Sequence, residues 1–146
     1  MGKIVAVCKS KKKGTKKDII PEGMFKEQYG LVDDAHADCA THRQVSLLTT
    51  DSIEKMRRLG LDVGAGAFAE NLTCEGIELI SLPIGTRLSV GKEVVLEISQ
   101  IGKECHTKCA IYHKIGKCIM PEEGVFARVI RGGVVKTGDT IEVNGR

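Results

Sequence analysis

The chain has 146 residues, a net charge of +3, and 42% apolar against 28% charged residues. This length predicts one domain, residues 1–146, that buries a core without disulfides or a structural metal. The composition excludes wholesale disorder, and no run approaches the ~20 apolar residues of a membrane span. Only a five-residue apolar stretch precedes the basic residues near the N-terminus, which argues against a signal peptide. We therefore expect a cytoplasmic protein without a membrane partner.

Most of the chain predicts short strands separated by tight turns, a pattern typical of a β-sandwich or β-barrel. The 17 glycines suit such turns, because glycine adopts backbone angles that other residues avoid. In chain order, the predicted strands are Lys3–Cys8, Val45–Thr49, Gly76–Ile80, Arg87–Val90, Val94–Gln100, Phe126–Ile130 and Thr140–Val143.

One helix is predicted over SIEKMRRLG, because Thr50 or Asp51 can cap its start and Gly60 can end it. A second short helix is predicted over residues 106–115. The apolar side chains expected on the inner face of the first helix are Ile53, Met56 and Leu59.

A run of lysines, SKKKGTKK at 10–17, follows the first predicted strand. One interpretation is a solvated hairpin tip that keeps a sheet edge from pairing. The other is an anion-binding loop, in which Gly14 lets the backbone approach a ligand and Lys13 and Lys16 offer positive charge to a phosphate. With three Phe, two Tyr and no Trp, few aromatic rings can stack on bases, so no nucleic-acid partner is expected.

Carboxylates and imidazoles are concentrated in GLVDDAHADCATHRQVSLLT at 30–49, which includes Asp34 and His36. Such side chains can bind a divalent metal, although the alternative is a polar loop whose side chains cap turns and one another. Arg43 lies just before a predicted strand, where its guanidinium can reach an oxyanion with two hydrogen bonds.

Six cysteines without an export signal predict a reducing compartment, in which thiols stay free or bind metals. Cys8, Cys39 and Cys74 are scattered in apolar or mixed stretches. We expect each of these three to be a small buried hydrophobic residue.

The segment GKECHTKCAIYHKIGKC at 102–118 allows three interpretations. In the first, the segment holds zinc in a non-catalytic binding module, because a helix would place positions 105, 109 and 113 on one face. Its zinc ligands would be Cys105, Cys109, His113 and Cys118. In the second interpretation, the cysteines are inert or form a redox pair.

In the third interpretation, Cys105 is a working thiolate. Lys103, His106 and Lys108 flank it, and positive charge lowers the pKa of a thiol. A thiolate can carry sulfur as a persulfide or can bind a soft metal.

Five stretches carry a family resemblance that runs in order along nearly the whole chain. They are S-x3-G-x-x-K at 10–17, GLVDDAHAD at 30–38, AGAFAENLTCEGI at 65–77, SQIGKEC at 99–105 and GVFARVIRGGVVKTGDTIEV at 124–143. Together they resemble the MOSC domain, named for the C-terminal domain of molybdenum cofactor sulfurases. The resemblance implies a mainly β protein, a closed or partly open barrel with one or two short helices.

The resemblance also implies a site. The family has a reactive cysteine that is proposed to carry sulfur in some related proteins and ligates molybdenum in others, and this cysteine matches Cys105. The motif asparagine matches Asn71. Lys16, Asp34 and His36 match loop positions around the same barrel mouth. The family often has proline before the cysteine, where this chain has Glu104. The added Cys109 and Cys118 resemble those of a subgroup with similar segments.

The implied ligand is molybdenum cofactor (molybdopterin), a pterin dithiolene with a terminal phosphate. Such a ligand needs a soft donor for the metal, an amide for the pterin edge and basic groups for the phosphate. Cys105, Asn71 and the lysines at 13–16 supply one of each.

The resemblance implies a cofactor-binding protein or sulfur carrier that acts in cofactor maturation or delivery. Its partners would be a molybdopterin-type small molecule and cofactor-biosynthesis proteins or a cysteine desulfurase. Pyridoxal phosphate is linked to the family only through the desulfurase domain of fused members. Two alternatives remain, a molybdenum-dependent reductase of N-hydroxylated compounds and the zinc module. Whether the protein is an enzyme, sulfurtransferase-like or an oxidoreductase, stays open at this point.

Overall fold

A computed structural model describes residues 2–9, 18–32, 34, 44–60, 64, 70–101 and 124–143. These residues form mainly strands. In chain order the elements are β1 (Gly2–Lys9), β2 (Asp18–Ile20), β3 (Glu22–Lys26), β4 (Gly30–Leu31), β5 (Val45–Thr49), α1 (Thr50–Arg58), β6 (Leu72–Glu75), a 3₁₀ turn (Leu79–Ser81), β7 (Arg87–Val90), β8 (Val94–Ile101), β9 (Val125–Arg131), β10 (Gly133–Lys136) and β11 (Thr140–Val143).

Within this described part, seven strands close into a barrel in the order β11, β7, β8, β9, β5, β6 and β1, because β11 also pairs with β1. β2 forms a hairpin with β1 outside this ring. β5 and β6 run parallel, and the other ring pairs are antiparallel. β10, β3 and β4 form a second, three-stranded sheet. The predicted mainly β barrel is therefore confirmed.

Alternation of side chains along the strands fills the interior of the barrel. In β9, for example, Val125, Ala127 and Val129 are fully buried in the core, as expected when successive side chains of a strand point to opposite faces. The second sheet adds Phe25, Leu31 and Val135 to this core. Because both sheets contribute to one apolar cluster, the second sheet packs against the barrel and does not form a separate unit.

The predicted helix is present as α1, which packs against β5 and β6. Its N-cap is Thr49, one residue before the predicted caps, and the Thr49 hydroxyl accepts the backbone N–H of Ser52 at 3.3 Å. Ile53 and Met56 are buried as predicted. The placement of Leu59 on the inner face is wrong: it is 52% exposed, because it is the C-cap, where the helical period ends.

No described helix combines the length and the apolar character that crossing a bilayer requires. The second predicted helix, over 106–115, lies outside the described residues.

Most strand predictions are confirmed, but the one over Gly76–Ile80 is wrong. The strand lies earlier, at β6, where Leu72 and Cys74 alternate into the core. Gly76 has a φ of +74°, which ends the extended conformation. The apolar run that follows contains the 3₁₀ turn instead of a strand.

The sequence analysis missed β2, β3, β4 and β10. These strands are short, and β3 (EGMFK) has the composition of a polar loop. A Cβ atom at Gly23 would lie 2.5 Å from Leu31 Cδ1 and 3.1 Å from Val7 Cγ1, so glycine lets β3 lie directly on its neighbours. That close approach depends on tertiary packing, which no local pattern encodes.

Candidate functional site

One row of residues crosses five neighbouring strands, and we call it the outer row. Gln100 of β8 pairs with Phe126 of β9, which pairs with Ser46 of β5. The backbone N–H of Asn71 donates to the Ser46 carbonyl at 2.8 Å, and the N–H of Cys8 donates to the Asn71 carbonyl at 2.8 Å. The outer row therefore runs from β8 to β1 as one continuous hydrogen-bonded line.

The outer row lies on the outside of the barrel wall. Leu47 and Leu72, each next to a member of the row, point into the core, so Ser46 and Asn71 point outward. Two irregularities keep the row aligned: Val5 in β1 and Ser99 in β8 are extra residues that shift the alternation by one. Because of the bulge at Ser99, Gln100 shares the face of Phe126 although Ile98 points inward.

Asn71 links three strands through its side chain, which is 1% exposed. Its Oδ1 accepts the Ser46 N–H at 3.0 Å and the Ser46 hydroxyl at 3.2 Å, and its Nδ2 donates to the Cys8 carbonyl at 3.2 Å. These contacts fix the point where β6 begins between β5 and β1. The amide therefore orients the chain here, and its contact with a cofactor stays a prediction.

Glu70, beside Asn71, is a fully buried carboxylate whose Oε2 accepts the Thr73 hydroxyl at 2.9 Å. Burial, followed by the negative charge of Glu70, raises the pKa of the Cys74 thiol to about 12. Cys74 therefore stays a protonated thiol rather than a nucleophile. The prediction that Cys8 and Cys74 are small buried residues is confirmed, because both are 0% exposed; Cys39 lies outside the described residues.

Gln44 is a structural feature that the sequence analysis missed. It is 2% exposed; its backbone N–H donates to the Ala127 carbonyl at 3.2 Å, and its Oε1 accepts the Val129 N–H at 3.0 Å. A glutamine before a strand gives no sequence signal for such a role.

Asp34, one of the predicted site residues, is 5% exposed and lies just after β4. Its backbone N–H donates to the Leu31 carbonyl at 3.1 Å. The structure therefore places a buried carboxylate where β4 leads into the segment 35–43.

The remaining predicted site residues lie outside the described part of the chain. Their segments nevertheless join the barrel at described residues. The segment 10–17 connects Lys9 to its strand partner Asp18, and the segment 102–123 follows Ile101. The predicted site residues outside the described part are Cys105, Lys13, Gly14, Lys16, His36, Arg43, Cys109, His113 and Cys118.

Two further undescribed segments end beside the outer row, at Gln44 and at Glu70. Four segments thus attach to one side of the barrel wall, each next to or within two residues of a member of the row. Among the described residues, no three His, Cys, Asp or Glu side chains come close enough to hold a metal ion.

Solved structures of bacterial proteins share this architecture. The YuaD protein from Bacillus subtilis superposes with a TM-score of 0.79 at 18% identity, covering 98% of this chain and 96% of its own. YiiM from Geobacillus stearothermophilus gives a TM-score of 0.75 at 21% identity, covering 100% of this chain and 76% of its own. YiiM from Escherichia coli gives 0.70 at 20% identity, with coverage of 100% and 71%. At these identities the likeness shows the fold alone.

Sequence comparison identifies the family. No curated protein sequence matches the chain significantly. The model of the MOSC domain matches residues 33–142, which is most of the chain and runs from the end of β4 into β11. The barrel, the motifs and this match agree, and the chain belongs to the MOSC domain family.

Proposed function

We propose that this protein binds molybdenum cofactor, or a sulfurated precursor of it, and transfers sulfur to the cofactor or delivers it. Cys105 is the reacting thiolate in this proposal. The lysines at 13–16, with Gly14, hold the terminal phosphate, and Asp34, His36 and Arg43 line the same site. Cofactor-biosynthesis proteins or a cysteine desulfurase are the proposed partners.

The outer row is the observation that supports the proposal most. Gln100 and Cys8 stand at its two ends, four strand spacings or ~19 Å apart along the wall. Cys105 follows Gln100 by five residues, and Lys13 follows Cys8 by five. Five residues span at most ~18 Å, so both segments are long enough to meet over the row. The row is thus a common base for groups that are distant in sequence.

The proposed sulfur transfer is a thiol exchange in which the Cys105 thiolate attacks the terminal sulfur of a donor persulfide. The Cys105 Sγ forms a bond to that sulfur, the S–S bond of the donor breaks, and its electron pair leaves on the donor thiolate. No net oxidation occurs. Lys103, His106 and Lys108 flank Cys105 in sequence and favour its thiolate.

The donor set fits the proposed cofactor by its chemistry. When bound, the cofactor supplies a soft metal, and a thiolate is the protein ligand that suits such a metal. The lysines offer point charges to the phosphate. Asn71 is already bonded to Ser46 and Cys8, so in this proposal its main contribution is to hold the start of β6 against β5 and β1.

The test is mass spectrometry and metal analysis of the native protein, purified from a host supplied with molybdenum. The expected result is a mass increment for bound cofactor or for one sulfur atom on the wild type. Cys105→Ser abolishes this increment, and the matched control Cys109→Ser retains it. Sulfur that cyanide releases from the wild type, but not from Cys105→Ser, would assign sulfur carriage rather than metal ligation.

Two results would contradict the proposal. Stoichiometric zinc that is lost in both Cys109→Ser and Cys118→Ser would favour the binding module with Cys105 and His113 as further ligands. Turnover of N-hydroxylated substrates with an electron donor would instead make the protein a molybdenum-dependent reductase.

A further inference from the structure

We propose that Arg128 binds an oxyanion, which is a phosphate or a carboxylate of the substrate that binds beside the outer row. Arg128 lies in β9, two residues from Phe126 and on the same outward face, ~7 Å along the strand. Its side chain is exposed, and no described side chain lies within ion-pair distance of its guanidinium. The planar guanidinium donates two parallel hydrogen bonds to an oxyanion. This inference rests on the proposed function, because it assigns an anionic substrate to the same wall.

The backbone that carries Arg128 is fixed from both sides. Gln44, itself buried, binds the Ala127 carbonyl with its N–H and the Val129 N–H with its Oε1, so it brackets Arg128. On the other side, Arg128 pairs with Glu97 of β8. A residue held in this way loses little backbone freedom when its side chain binds a ligand, which favours binding.

The charges around Arg128 leave a positive excess. Across β7, β8 and β9, Arg87 pairs with Glu97 and Glu97 pairs with Arg128, so one carboxylate faces two guanidinium groups on the same face. Glu97 can compensate one of these charges. The other guanidinium is available to an exogenous oxyanion, and Arg128 is the one that adjoins the outer row.

Arg128 and the lysine segment depart from different strands. Three strand spacings, ~14 Å, lie between β9, which holds Arg128, and β1, from which the segment 10–17 departs. We assign Arg128 to the anionic group of the substrate and the lysines to the phosphate of a bound cofactor.

The test uses the ¹⁵N-labelled full chain carrying Cys105→Ser, so that thiol chemistry plays no part. Inorganic phosphate and, separately, acetate are titrated while the backbone amides of Phe126 and Ser46 are followed by NMR. Arg128→Gln is expected to weaken binding at these amides about tenfold, because it removes a charge-assisted pair of hydrogen bonds. Glu97→Gln is expected to strengthen binding about threefold by removing the competing carboxylate.

Arg87→Gln is the matched control, because it removes the same charge from the far side of Glu97. Because Arg87→Gln frees Glu97 to pair with Arg128, it should weaken binding by about threefold at most, well below the loss in Arg128→Gln. The stronger of the two anions identifies whether the substrate group is a phosphate or a carboxylate. Equal losses in Arg87→Gln and Arg128→Gln, or no loss in Arg128→Gln, would overturn the inference. Intact anion binding here, together with a wild-type protein that shows no mass increment dependent on Cys105, would instead overturn only the proposed function.

Discussion

The two faces of the barrel wall at β5 and β6 are both buried, yet they are held together in different ways. On the inner face, Leu47 pairs with Leu72, and both are fully buried in the apolar core. On the outer face, the residues that precede these two leucines, Ser46 and Asn71, are joined by hydrogen bonds. The inner contact depends on volume and the outer one on the direction of donors and acceptors.

This difference has an energetic consequence. Apolar packing tolerates a change of shape if the volume is conserved, since dispersion and burial are not directional. A buried hydrogen bond does not tolerate the loss of one partner, because the other group is then left without compensation. The outer face should therefore be the less tolerant of conservative substitution, which suits a surface beside which four segments join the barrel.

The largest expected effect is that of Asn71→Ala. It leaves the Ser46 N–H and the Cys8 carbonyl without their side-chain partner, so we expect the free energy of unfolding to fall by about 4 kcal/mol. Asn71→Asp should cost about as much, because it removes the donor to Cys8 and buries a charge. Urea denaturation measures both.

Ser46→Ala provides a graded version of the same change, since it removes only the hydroxyl and keeps the backbone N–H. A loss of about 1.5 kcal/mol is expected. Should Asn71→Ala cost less than about 1 kcal/mol, hydrogen bonding would not be what holds the outer face.

On the inner face, Leu72→Ala should lower the free energy of unfolding by about 3 kcal/mol through lost burial and a residual cavity. Leu72→Met, which conserves the volume, should cost only about 1 kcal/mol. The decisive measurement is the ratio within each pair of variants. A Leu72→Met variant as unstable as Leu72→Ala would remove the proposed contrast between the two faces.

An effect about half as large as that of Leu72→Ala concerns the pH dependence due to Cys74, on the inner face. Its thiol has a pKa of about 12 in the folded chain against a usual value of 9.0, so the folded state keeps a proton that the unfolded state releases. Stability is therefore fully present below pH 9 and declines as the pH rises towards 12. Relative to Cys74→Ala, the wild type should lose about 1.4 kcal/mol between pH 8 and pH 10.

Unfolding free energies of both proteins at the two pH values test this expectation, since the other titrating groups are common to both. A constant difference between the two proteins would mean that the thiol ionises inside the core as readily as in water.

Local patterns predicted most of the strands well. β5, β7 and β11 have the predicted bounds, because a turn or helix-cap signal marks an end of each of these segments. The error at Gly76–Ile80 has the same origin, since an apolar run without its tertiary context reads as a strand. The short strands β2 and β4 were missed because two or three residues carry no period, and pairing with β1 and β3 alone defines them.

For the candidate site, the sequence indicated Asn71 and Asp34 as important, and the structure places both in buried positions. It did not reveal Gln44, because the partners of that residue in β9 lie more than 80 positions away along the chain. Nor did it distinguish Arg128 from the other arginines, since only the register across β7, β8 and β9 sets it beside the outer row.

The sequence by itself determined the fold class, the family and the alternation that fills the barrel, because these depend on periods and motifs of a few residues. Only the tertiary structure decided which residues form the outer row. That alignment depends on extra residues at Val5 and Ser99 and on the parallel pairing of β5 with β6. A shift of one residue in any of these strands would turn its member of the outer row towards the core. Register of this kind is fixed by contacts between distant segments.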